Sequence, residues 1–244
     1  MQLKGRGALV TGGARRIGRQ VALALARRGA HVAISYRTSS RDAQQTVRAL
    51  DALGVRAAAI RADLSSVRQA RQLVAETARR FGRLDVLVNS ASLFMRTPLD
   101  RLTERAWDAH LDANLKGPAF CALEAGRVMR RQGVGTIINI ADWAAERPYR
   151  DYLPYCVSKA GVIALTRGLA KELAPRVRVI AISPGPILPP PDMTPAQRRR
   201  AVARLPLKRW GSPDDIATAV VFAVEGGDFM TGSTITVDGG RSVA

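Results

Sequence analysis

Cysteine and histidine are scarce: Cys121, Cys156, His31 and His110 are the complete set in 244 residues, and they lie far apart. Two isolated thiols give no disulfide framework and suit a reducing compartment. No grouping of the four has metal-ligand spacing, so no metal is expected. No apolar run approaches the ~20 residues a membrane-spanning helix needs. The N-terminus enters a strand-like segment within a few residues and shows no secretory pattern, so a cytoplasmic protein without a membrane partner is expected. Linkers and internal repeats are also missing, and this length suits one domain with a sizeable core. Acids are few, 20 against 38 Lys and Arg, for a formal charge of +18. The basic runs Arg15-Arg16, Arg27-Arg28, Arg79-Arg80, Arg130-Arg131 and Arg198-Arg199-Arg200 fall on different expected elements. They carry no aromatic interleaving and no basic tail, a pattern of solvated helix faces rather than of a nucleic-acid surface. Such a surface still attracts anionic small molecules at low salt.

What is present alternates. Gly7–Thr11 is a short apolar strand, followed by Gly12-Gly13-Ala14-Arg15-Arg16-Ile17-Gly18, a helical pattern to about Arg28, and a second strand His31–Tyr36. Strand, Gly-rich turn, helix and strand within ~30 residues form a dinucleotide-binding unit, whose helix N-terminus offers unpaired N–H groups to phosphates. After the second strand an NAD site places an acid for the ribose, whereas an NADP site places a cation for the 2′-phosphate. Here stand Tyr36-Arg37-Thr38-Ser39-Ser40, with no acid until Asp42. Arg37 with a neighbouring hydroxyl suits a phosphate, and NADP(H) is the expected cofactor.

Further strands are expected at 55–61, 84–89, 135–140, 178–183 and 233–237. Helices are expected at 41–53, 67–81, 104–131 (with Asn114 inside), around 155–173, at 196–205 and at 213–224. The strands are apolar runs rather than alternating ones, as in a parallel sheet covered on both faces. The fold class is therefore α/β: one doubly wound Rossmann-type domain of about seven strands spanning residues 1–244. The Pro-rich, then Arg-rich excursion at about 186–210 reads as a substrate lid. In such sheets ligands lie beyond the C-terminal strand edge, where the Gly-rich turn, Asp63, Asn89, Asp142 and Pro184-Gly185 all fall.

Tyr155 and Lys159 stand four apart at the start of an apolar-periodic helix, which stacks them on one face. A phenol beside an ammonium is a proton donor whose pKa is expected to be pulled down toward working pH.

With these residues in place, the chain resembles the short-chain dehydrogenase/reductases over nearly its whole length. The matching residues are Thr11-Gly12 with Gly18, Asp63-Leu64, Asn89 with Ala91, Asn114, Tyr155 with Lys159, and Pro184-Gly185. The resemblance implies hydride transfer from a nicotinamide, with Tyr155 as proton donor, Lys159 on the ribose and depressing the Tyr155 pKa, and Asn114 anchoring a relay water. Arg15, Arg16, Ile17, Tyr36, Arg37, Ser39, Leu64, Ala91 and Ile187 complete the expected cofactor set. It also implies a homotetramer or homodimer.

Four departures narrow it. Arg16 replaces a Gly of the turn, Ser90 and Ser92 alter the Asn89 motif, Pro189 stands where a Thr is usual, and Asp142 fills the place of the catalytic Ser. Together they look like the pteridine reductases and dihydromonapterin reductases, with Asn-x-Ala-Ser-x-Phe at Asn89–Phe94. By that resemblance Phe94 stacks a pterin, Ser92 and Arg16 contact the pterin edge and cofactor phosphates, Trp143 lines the pocket, and Asp142 bonds Tyr155. The charge argument agrees. A ketone builds negative charge on oxygen, which an ionised Asp142 repels, whereas a C=N bond becomes cationic when protonated, which Asp142 stabilises. The expected activity is NADPH-dependent reduction of a pterin or similar heteroaromatic C=N substrate. The alternatives are a carbonyl or ketoacyl-thioester reductase and a non-catalytic cofactor-binding relative.

Overall fold

The computed structural model describes residues 1–189 and 193–244. Seven strands, β1 (Gly7–Val10), β2 (His31–Tyr36), β3 (Ala57–Arg61), β4 (Val86–Asn89), β5 (Gly135–Ile140), β6 (Val177–Pro184) and β7 (Thr234–Val237), form one sheet. It is parallel throughout, in the order β3-β2-β1-β4-β5-β6-β7. The chain runs outward from β1 to β3 and then returns to β4 on the other side, so the crevice between β1 and β4 is the switch point where ligands bind.

The eight helices among the described residues are α1 (Arg16–Arg27), α2 (Ser40–Asp51), α3 (Val67–Phe81), α4 (Glu104–Leu111), α5 (Gly117–Gln132), α6 (Leu153–Leu173), α7 (Pro195–Ala203) and α8 (Pro213–Glu225). Two cores result. Val21 and Leu25 of α1, Leu50 of α2, and Ile216 and Val220 of α8 cover one sheet face through Val32, Ile34, Val88 and Ile180. Leu73 of α3, Met129 of α5 and Leu169 of α6 cover the other through Leu9, Leu87, Ile137 and Val179. Strands buried on both faces explain the unbroken apolar runs.

Local signals set the ends. Ser66 caps α3 by accepting from the Gln69 amide, and Gly82 ends it at φ 73°, a left-handed position that costs glycine nothing. Asp85, just ahead of strand β4, is fully buried. Its carboxylate accepts from the Gly7 amide at 2.9 Å and from Arg83 at 2.6 and 2.7 Å. The single helix expected over 104–131 is interrupted by a π-helical turn at Asp112–Lys116. Helix α7 buries nothing and rests on a capping box between Thr194 and Gln197. Of the proline run before it, Pro190 and Pro191 lie outside the described residues. Among the described residues no helix is long and apolar enough to cross a membrane, and no cluster of three His, Cys, Asp or Glu could hold a metal ion.

Candidate active site

At the switch point one hydroxyl ties the two loops together. Thr11 Oγ1 accepts from the Ser90 and Ala91 amides at 2.9 and 3.0 Å. Gly12 has φ +64°, and a Cβ there would meet Ala91 Cα at 2.8 Å; a Cβ on Gly18 would lie 2.5 Å from the Gly12 carbonyl oxygen. Only glycine lets these backbones approach so closely. Helix α1 opens directly onto the crevice, with no side-chain cap and no acid in its first turn. Its first amides and positive dipole end are thus left for an anion, and the cradle fits a dinucleotide pyrophosphate. Arg16 sits at this N-terminus with φ 54°, a left-handed conformation that costs a non-glycine residue about 1–2 kcal/mol. That explains why glycine is usual there.

The other expected cofactor residues divide. Arg37 and the Ser39 hydroxyl stand beyond β2, and Ser39 makes no side-chain cap to α2. Arg15 is paired with Asp42 through two nitrogens at 2.9 Å, so neither side chain is free. Burial pushes the Asp63 carboxyl up, but hydrogen bonds from Ser65 and the nearby Arg37 charge outweigh it, leaving it below the usual range. The Leu64 side chain joins the core. Asn89 is turned inward, donating to Asn139 Oδ1 at 2.9 Å and to the Pro118 carbonyl. Tyr36 is half-buried, while Pro184 and Ile187 are buried where β6 ends, and a Cβ on Gly185 would strike Asp238 at 2.5 Å.

Beyond β5 lies the candidate reactive group. Tyr155 Oη donates to Asp142 Oδ2 at 2.6 Å, while Asp142 Oδ1 accepts from the Ala144 amide at 2.8 Å and from the Tyr149 hydroxyl at 3.3 Å. Lys159 is buried and donates to the Ile140 carbonyl at 2.9 Å, its ammonium 5.7 Å from the Tyr155 ring. Desolvation pushes the Lys159 ammonium down to about 8, against a pull upward from Asp142. The lowered Tyr155 pKa expected from the Tyr-Lys spacing is corrected here: burial first, then the Asp142 charge, raise it well above the ordinary phenol value. Burial likewise raises the Asp142 carboxyl, opposed by its bonds from Tyr155, Ala144 and Tyr149 and by Lys159.

These directions predict a pH dependence of stability. Between about pH 8 and 10.5 the unfolded chain holds a proton on Lys159 that the folded chain has lost. The contribution of Lys159 to stability therefore rises with pH across that window. Above pH 10 the raised Tyr155 and Tyr149 act in the opposite sense, because the folded chain then holds protons the unfolded chain has lost. Urea midpoints of Lys159→Met should exceed those of wild type most at neutral pH, and the gap should close between pH 8 and 10.5.

Around the pair stands an aromatic wall. Phe94, half exposed, stacks on Tyr152 at 4.4 Å and 11° and meets the Tyr155 ring edge-on at 4.7 Å. Asn114 holds the Phe94 loop. Its side chain accepts from the Leu93 amide at 2.6 Å and from Ser92 Oγ at 3.3 Å, and donates to the Leu93 carbonyl and Ser158 Oγ. Those bonds occupy the whole side-chain amide and position the Phe94 loop. The π-helical turn is what presents Asn114 there. His110 accepts from the Met95 amide on the same loop. Trp143 is buried, donating its indole N–H to Tyr149, with the Arg241 guanidinium 5.1 Å above its ring. A cavity of about 620 Å³, lined by Thr97, Leu99, Tyr149 and Asp151, opens beside this wall.

The sequence reading missed Tyr149, Tyr152 and Arg241. A signal existed for the first two, because three of the chain's four tyrosines stand at intervals of three before Lys159. None pointed to Arg241.

Residues 12–242 match the family model described as enoyl-(acyl carrier protein) reductase. The chain belongs to the short-chain dehydrogenase/reductase family. It is thereby a nicotinamide-dependent oxidoreductase of that family. It is 39% identical over 241 residues to 3-oxoacyl-(acyl-carrier-protein) reductase FabG of Staphylococcus aureus, covering 96% of this chain and 97% of that one. A short-chain dehydrogenase from Burkholderia cenocepacia J2315, solved in complex with NADP, superposes with a TM-score of 0.92 at 37% identity, covering 100% of both chains. A blue fluorescent protein from a metagenomic library, solved in complex with NADPH, also superposes at 0.92 with 34% identity and 99% of each chain covered.

Proposed function

We propose that this short-chain dehydrogenase/reductase is an NADPH-dependent reductase of a pterin or similar heteroaromatic C=N substrate. One observation carries the reading: Asp142, standing where the family has Ser, is bonded to Tyr155 at 2.6 Å. A carboxylate there disfavours an oxyanion and balances a protonated ring nitrogen. When bound, the nucleotide supplies a hydride from nicotinamide C4. The chain's own part is to hold one mobile proton between Tyr155 and Asp142, and to offer Phe94 as a flat apolar face beside them. Arg16 and Ser92 suit the polar edge of such a ring, and Trp143 supports the wall from behind.

For the nucleotide, the α1 amides with Gly12, Arg16, Ile17 and Gly18 suit the pyrophosphate. Tyr36, Asp63 and Leu64 flank the adenosine end, and the backbones of Asn89 and Ala91 lie along the crevice. Tyr155 and Lys159 suit the nicotinamide ribose, and Pro184, Gly185 and Ile187 border the ring. NADPH is favoured over NADH because Asp42, the one acid near the end of β2, is engaged by Arg15, leaving Arg37 and Ser39 for a 2′-phosphate. Arg37→Ala should raise the KM for NADPH about tenfold and change that for NADH less than twofold, measured by nucleotide oxidation at saturating second substrate. Gly18→Ala should cost about 1–3 kcal/mol in urea unfolding, because its Cβ meets backbone rather than a yielding side chain. It should also weaken nucleotide binding in a fluorescence titration.

The segment 186–210 is proposed as the lid of this single domain, and a homotetramer or homodimer as its assembly. A ketoacyl-thioester reductase is the second reading, favoured by the name of the S. aureus relative at 39% identity. That relation spans the scaffold, whereas the Asp142 position bears on the substrate. NADPH oxidation with dihydrobiopterin, dihydromonapterin, dihydrofolate, ketones and ketoacyl thioesters separates the two. Turnover confined to ketones and thioesters would overturn the pterin reading.

A further inference from the structure

Tyr149 occupies the loop between Asp142 and α6 and has no place in the reaction described so far. Its oxygen accepts the Trp143 indole N–H, and an indole nitrogen can only donate. The single phenol proton of Tyr149 is therefore left for Asp142 Oδ1, 3.3 Å away. The two carboxylate oxygens are thus divided: Oδ1 takes Tyr149 and the Ala144 amide, and Oδ2 takes Tyr155 alone. The ring of Tyr149 is clamped edge-on by Trp143 at 5.4 Å, Tyr152 at 6.2 Å and Phe94 at 6.3 Å. Trp143 in turn is held beneath Arg241.

We propose that Tyr149 is a positioning residue for Asp142: relayed from Arg241 through Trp143, its phenol locks the carboxylate so that Oδ2 faces Tyr155 alone. This rests on the reading that Asp142 and Tyr155 share the transferred proton. The ionisable and charged groups around Asp142 are Tyr149 on its own loop, Tyr155, Cys156 and Lys159 on α6, and Arg241 on the C-terminal segment, behind Trp143. The Phe94 loop brings none into hydrogen-bond contact with it. Removing the Tyr149 hydroxyl takes a donor from the ionised form of Asp142, so the carboxyl should hold its proton to higher pH.

The test needs no particular substrate. In an infrared difference titration the carboxylate band lost in Asp142→Ala identifies Asp142, and its midpoint should move up by about one pH unit in Tyr149→Phe. Trp143→Phe should produce a smaller shift in the same direction. In turnover with whichever substrate proves active, the acid limb of kcat/KM should move by the same amount in Tyr149→Phe, while nucleotide Kd changes less than twofold. In the Asp142→Ala background, Tyr149→Phe should have no further effect on kcat. An unmoved midpoint, or a full effect of Tyr149→Phe without Asp142, would overturn the assignment. Absence of dihydropterin turnover with the midpoint shifted would leave Tyr149 in its role and remove only the pterin reading. Nucleotide titration of each variant reports whether the crevice is folded.

Discussion

Replacing Asp142 with Ser is expected to cut dihydropterin turnover about a hundredfold and to raise ketone turnover by a comparable factor. Two unit charges 4 Å apart interact by about 4 kcal/mol at an effective dielectric of 20. A cationic ring nitrogen loses much of that when the carboxylate is removed, and about 2.7 kcal/mol already corresponds to a hundredfold. A ketone gains twice: the repulsion of its developing oxyanion disappears, and a hydroxyl donor takes its place, worth about 2.7–4 kcal/mol in related sites. Ser can still cap the turn at Trp143–Ala145, where Asp142 now accepts from the Ala144 amide, so the exchange should leave the loop intact. The measurement is kcat/KM for a dihydropterin and for a ketone, wild type against variant, with NADPH saturating. A selectivity ratio that moves less than threefold would sink the charge argument and return weight to the ketoacyl-thioester reading.

The scaffold was legible because each of its parts has a local cause. Unbroken apolar runs such as Val32–Ile34 and Ile137–Ile138 mark strands covered on both faces, and Gly12 and Gly18 mark a turn where backbone meets backbone. The departures came where tertiary contacts decide. No spacing rule shows that Asp112–Lys116 widens into a π-helical turn, or that Asn114 thereby spends its side chain on the Phe94 loop. The spacing of Tyr155 and Lys159 correctly places both side chains on one face of α6 but says nothing of solvent. Burial and Asp142 reverse the direction of the Tyr155 shift, and one N–H of the ammonium goes to the Ile140 carbonyl. The three-residue spacing of Tyr149, Tyr152 and Tyr155 does not show that Tyr149 reaches Asp142, and nothing points to Arg241 because its partner Trp143 is nearly a hundred residues away.

Substituting Tyr155 with Phe is expected to lower kcat by about a thousandfold, within the range for loss of a positioned proton donor. Nucleotide Kd should change little, because the ring is kept and Lys159 stays anchored on Ile140. The raised Tyr155 pKa also bears on the pH dependence of the reverse reaction. A phenol held protonated by burial and by Asp142 stays in its donor form through the whole neutral range. Oxidation needs the phenolate as base, and forming it beside an ionised Asp142 is costly. Reverse turnover with NADP should therefore be slow at pH 7 and climb steadily with pH, with no plateau below pH 10. In Asp142→Asn the charge that opposes the phenolate is gone, so the alkaline rise should begin at lower pH. A reverse reaction already saturated at pH 8 in the wild type would show that Tyr155 ionises readily, and that the Tyr155–Asp142 pair does not hold its proton as the 2.6 Å contact implies.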